Sequence, residues 1–226
     1  MQQPRYNAFN LIHKGLRGML YDAALAIQQT DFASDNAIET VRKVEYLVHA
    51  FDEHADHEDA HVLPMVTKYN PQMVADFEKD HVVDHKLSAD LINYVNNWKA
   101  ASDTSARLEC GSQLFYAFNE FIAFNLYHMN REEQALLYVL WSHYTDMEIR
   151  EMQQRIVASI PTNVLLSESR WMIRCANDRE LTEWLKGVKM GAPEPFFNAL
   201  RETTVAELGI ERSERIFAAI EEVAVA

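Results

Sequence analysis

Apolar residues recur at three- and four-residue steps along nearly the whole chain. Between residues 8 and 29, Phe9, Ile12, Leu16, Met19, Leu20, Ala23 and Ile27 share one face, the pattern of an amphipathic helix. TDFASDN breaks that pattern, and Asn36 and Glu39 have the N-cap and third-residue spacing of a helix start. A second helix is expected over 37–69, kinked or cut short at Pro64. Asn70-Pro71 reads as a turn and restart, because proline suits the first helical position. A third helix is expected over 72–100, followed by the loop ASDTS and a fourth helix over 106–141. Thr145 and Glu148 form a capping box for a fifth helix, which Pro161 should stop.

Long amphipathic helices with short connections predict an all-α fold: an up-down-up-down four-helix bundle with additional C-terminal helices. The bundle is expected over 1–160. Residues 161–226 read as an extension of three or four shorter helices, interrupted at Asn177-Asp178, at GAPEP (191–195) and at Gly209. Within it, Trp184, Leu185, Phe196, Phe197 and Leu200 need an apolar partner. The chain's own bundle or a second copy could supply one, so a monomer or a homodimer is expected.

Composition narrows the function classes. The formal net charge of −13 over 226 residues argues against nucleic acid or an anionic membrane surface as partner. No apolar run has the length of a signal-peptide core or a membrane span. Cys110 and Cys175 have no metal or redox spacing, so reduced thiols and a cytoplasmic location are the expectation.

The histidines carry the chemistry. FDEHADHEDAHVLP, residues 51–64, holds three of the nine, together with five acidic residues. Residues four apart on a helix lie about 40° and about 6 Å from each other, so both can reach one ion. His54 with Glu58, His81 with His85, and His128 with Glu132 have that spacing on three successive predicted helices, and His13 lies on the first. Height decides whether they meet. His13 and His54 are nearly equidistant from the first loop, Glu58 and the His81/His85 pair from Asn70, and His85 and His128 from ASDTS. All four helices therefore bring ligand types to one layer. Asp52, Glu53, Asp56 and Asp59 are most simply a solvated face. The imidazoles and carboxylates exceed what one tetrahedral zinc can use, and no cysteine joins them. Nitrogen and oxygen donors with carboxylates able to bridge suit two ions of iron or manganese in a bundle core.

At these residues the sequence resembles the hemerythrin-like (HHE cation-binding) family. The resemblance covers residues 8–160: His13, His54-x-x-x-Glu58 followed by Leu63-Pro64, His81-x-x-x-His85, and His128-x-x-x-Glu132-Glu133. It implies two non-haem iron ions, with manganese or zinc as other candidates. His13 and His54 would hold one ion and His81, His85 and His128 the other, with Glu58 and Glu132 as bridges. Some members place the last carboxylate five residues after its histidine, so Glu133 competes with Glu132. A ferritin-like site needs a glutamate on the first helix, and there is none between residues 8 and 30.

Two histidines exceed the family pattern. By α-helical counting His61 lies about 20° from His54 and should face inward, where it could bond an iron-bound ligand. His57 is about 60° away and more exposed to solvent. The resemblance implies a protein that binds dioxygen or a related small molecule as sensor, carrier or store. The rival is a di-iron oxidoreductase acting on peroxide, nitric oxide or dioxygen, and the sequence does not decide whether the protein is an enzyme. A third class is a structural protein whose metal only fixes the bundle.

Overall fold

The computed structural model of the protein describes residues 5–222, which are helical apart from short connections. The described residues form two compact units, 5–8 with 19–156, and 9–18 with 157–222. One helix, α1 (Asn10–Gln29), begins in the second unit and ends in the first.

The first unit is built on α2 (Ala37–His57), α3 (Leu63–Thr67), α4 (Pro71–Ala100), α5 (Thr104–Arg131), α6 (Leu137–His143) and α7 (Asp146–Ser159). A π turn, Glu58–Val62, joins α2 to α3, and another, Glu132–Leu136, joins α5 to α6. Each pair thus forms one long rod, as the hydrophobic pattern requires. α4 packs against α2 and α5, its inward face running through Phe77, His81, Asp84, Ser88, Leu91, Val95 and Trp98. Steps of four and three along that list are the seam of a helix facing its neighbours in a bundle.

The starts of the helices follow from local chemistry. Asn70 Oδ1 accepts from the Met73 N–H at 3.1 Å with Pro71 behind it, and Asp103 Oδ1 accepts from Ala106 at 2.9 Å. Thr145 and Glu148 cap each other reciprocally, so the capping box read from sequence is present. Asn36 departs from expectation. Its backbone is already helical and its side chain makes no cap bond; the Ser34 hydroxyl instead accepts from the Asn36 N–H. Pro64 neither ends the rod nor stands at a break. The π turn closes two residues before it, where widening accommodates a ring that cannot supply an N–H to the preceding turn.

The second unit comprises the first turns of α1 with α8 (Thr162–Cys175), α9 (Asp178–Gly191), α10 (Glu194–Leu208) and α11 (Ile210–Glu222). The breaks fall at the three places expected, and Gly209 turns the chain between α10 and α11 at φ +77°. Leu185 and Leu200 are fully buried with Ile173 and Leu181, and Trp184, Phe196, Phe197 and Leu11 pack against them. These apolar residues find one another and the start of α1. Close approach of α8 to α1 depends on two glycines. A Cβ at Gly18 would lie 2.2 Å from Cys175 Sγ, and one at Gly15 would lie 3.3 Å from the Met172 nitrogen.

Candidate metal centre

Both glutamates expected to bridge open a π turn: Glu58 the first, Glu132 the second. A π turn inserts an extra residue into the helical repeat, so it changes which side chains point inward after it. Val62 (2% exposed) takes the inward place that uniform α-helical counting gives to His61. His61 is half-buried and belongs to no candidate ligand group, contrary to the inward placement expected from sequence.

Within the first unit the structure brings together His54, Glu58, His81, His128 and Glu132. Glu58, His81, His128 and Glu132 each offer a ligand atom, all within 4.8 Å of one another; His54 is grouped with the same two glutamates. The oxygens of Glu58 divide between two helices. Oε1 lies 3.3 Å from His54 Nε2, one turn back on its own helix, and Oε2 lies 3.5 Å from His81 Nε2 on α4. Glu132 Oε1 lies 2.8 Å from His128 Nε2 and 3.8 Å from His81 Nε2. Phe77 meets the His128 ring edge-on and Phe124 stacks on it, so one wall is apolar. Glu133 is half-buried and in neither group.

His85 is placed differently. His85 lies outside the cluster, 43% exposed, with its Nδ1 3.1 Å from Asp52 Oδ1. The reason is the face of α4: Asp84, at 2% exposure, occupies the inward seam and accepts a hydrogen bond from Asn125 Nδ2 at 2.6 Å. His13 is fully buried on α1, in the second unit, with its ring 5.1 Å from that of Phe9. The next residue, Lys14, reaches Glu180 at the start of α9 with 2.6 Å bonds to both carboxylate oxygens, and Asn10 donates to the same group.

Three acidic residues have roles that sequence reading did not assign. Asp59 Oδ1 accepts from His81 Nδ1 at 2.7 Å, and Asp80 Oδ2 lies 3.4 Å from His128 Nδ1 while also pairing with Arg131. Asp52 holds His85 in the same way. The expected solvated face therefore sends Asp52 and Asp59 back to imidazoles. Helical spacing gave no signal for these links, because each joins two helices distant in sequence.

The electrostatics say what the cluster needs. Two carboxylates at 3% and 0% exposure require positive charge beside them to stay ionised. Among the residues themselves, imidazoles supply it. Burial by itself lowers the pKa of His81, but the Glu132 and Glu58 carboxylates outweigh it and hold His81 up at about 11. His128 is raised by the same contest, with Glu132 as its main partner. His57, outside the cluster, is lowered by burial and by His54. Burial also raises Asp84, against the Asn125 hydrogen bond and the nearby charge of His128. A metal cation satisfies the buried carboxylates through nitrogen and oxygen donors already converged, so the residues fit a metal centre.

The hemerythrin HHE cation binding domain matches residues 5–140. The chain belongs to that family. The match spans both glutamates and every histidine expected to be a ligand. No curated protein matches the chain, and no solved structure does. The helical bundle and the cation-binding cluster of histidine and glutamate are therefore features of a family member, and no described helix is long and apolar enough to cross a membrane.

Proposed function

We propose that the protein holds two non-haem iron ions and binds dioxygen or a related small molecule at them. The observation that carries this reading is Glu58, whose two oxygens face imidazoles from two different helices, the disposition of a carboxylate shared by two ions. In this reading His54 and His13 serve one ion, His81 and His128 the other, and Glu58 and Glu132 are shared. His85 joins the second ion only by releasing Asp52. Manganese and zinc would meet the same donors, but zinc offers no redox change to couple to a ligand.

When bound, the metal pair supplies redox-active positions for a small ligand. The chain supplies everything else. Glu58 and Glu132 hold the charge, Asp59 keeps the outer ring nitrogen of His81 occupied, Asp80 lies 3.4 Å from that of His128, and Phe77 and Phe124 limit water at one wall. A cytoplasmic sensor, carrier or store is the role we assign.

The test is the absorption spectrum of iron-loaded, anaerobically reduced protein as air is admitted and withdrawn. Two irons per chain with a visible band that appears and reverses support the proposal. A stable ferric spectrum after brief exposure favours the oxidoreductase alternative.

A further inference from the structure

We propose that Asp59 and Asp80 are positioning residues for the metal-binding imidazoles, with Asp59 the stronger of the two. This rests on the metal reading above. A ligating histidine presents one ring nitrogen to the ion, and a carboxylate on the other nitrogen fixes its tautomer, orients the ring and strengthens it as a donor. His81 meets each condition. Its Nδ1 donates to Asp59 Oδ1 at 2.7 Å, so Nε2 is turned toward Glu58 Oε2 and Glu132 Oε1. Asp59 lies one residue after Glu58, in the π turn that the glutamate opens. That turn thus delivers one carboxylate to the centre and the next to the back of a ligand on α4.

His128 has a weaker version of the same support. Asp80 Oδ2 lies 3.4 Å from its Nδ1 without closing a hydrogen bond, and the same oxygen is engaged by the guanidinium of Arg131, which also lies over the Phe77 ring. Sharing with a cation drains charge from Asp80, so its pull on His128 is smaller. The imidazole with the strong support, His81, is also the one facing both shared glutamates.

The experiment is an anaerobic titration of metal-free protein with Co(II), whose visible spectrum reports ligand number and geometry, against a chelator of known affinity. The variants are D59A, D59N, D80A and D56N. Asp56 is an exposed carboxylate on the same segment, so D56N removes equal charge without touching a ligand ring. We expect D59A to bind roughly 10–100-fold more weakly with an altered Co(II) spectrum. D59N, which keeps an acceptor, should recover part of the loss. D80A should lose less than D59A, and D56N should match the parent. Circular dichroism of each metal-free variant checks folding, and D59N carries the test if D59A does not fold. D59A within twofold of the parent, or D56N losing as much as D59A, overturns the proposal. A parent that binds no Co(II) instead overturns the metal reading itself.

Discussion

Replacing Glu180 with alanine tests how α9 holds the first turns of α1. Glu180 sits at the third position of α9 and serves two purposes. With Asn177 it closes a capping box, accepting from the Asn177 N–H at 3.1 Å while Asn177 Oδ1 accepts from its own N–H at 3.0 Å. It also takes both 2.6 Å bonds from Lys14 and one from Asn10, with only 14% of its side chain exposed. Loss of the reciprocal cap costs about 1 kcal/mol. Charge-assisted bonds to a well-shielded carboxylate contribute roughly 1.5–3 kcal/mol each, but Lys14 is 31% exposed and screened, so about 1–2 kcal/mol is a fair figure for that set. E180A should therefore destabilise by about 2–3 kcal/mol, a drop of roughly 4–12 °C in Tm for a chain of this size. Urea and thermal melts followed by far-ultraviolet circular dichroism provide the assay. The double variant with K14A should be less destabilised than the sum of the singles by roughly 1 kcal/mol, because the two residues share one interaction. A loss below about 0.5 kcal/mol, or full additivity with K14A, would refute the reasoning.

Further outcomes follow from the same geometry. E132Q should lower metal content sharply while E133Q leaves it near that of the parent, since Glu132 is fully buried against His128 and Glu133 is not in the cluster; metal analysis after gel filtration decides. H85A should retain most metal binding, because His85 is 43% exposed and held by Asp52; loss of one ion per chain would show that its ring moves inward on loading. Metal should stabilise the folded chain by about 2.7 kcal/mol at a hundredfold excess of free metal over Kd, visible as a Tm shift that a chelator reverses. Glu180 also sets an acid limit. Burial raises its pKa, but the bonds from Lys14, Asn10 and Asn177 overcome this and leave it below the usual glutamate value. A depressed carboxylate contributes stability above its unfolded pKa of about 4.3 and loses it as pH falls through the lower folded value. Urea midpoints of the parent should therefore fall below about pH 4 more steeply than those of E180Q.

The elements themselves were legible in the sequence because helical periodicity and end signals are local. The expected spans 72–100 and 106–141 correspond to α4 and to the rod from α5 to α6, and the capping box at Thr145 is where the chain places it. Part of the cluster that could hold a metal was legible for a related reason. In an antiparallel hairpin, distance from the loop fixes height, so His54, Glu58, His81 and His128 could be assigned to one layer by counting. Counting failed where the repeat itself changed or where two helices had to be rotated about their axes. The π turn at Glu58 sends His61 off the inward face, whereas Glu132, chosen by its spacing from His128, does enter the cluster. The rotation of α4 puts Asp84 on the seam and leaves His85 to Asp52. Neither rotation nor a widened turn leaves a mark in residue spacing, because both are set by packing against partners far away in the chain. The roles of Asp59 and Asp80 are of that kind: a sequence can count carboxylates, but only the folded helices decide which of them reach an imidazole.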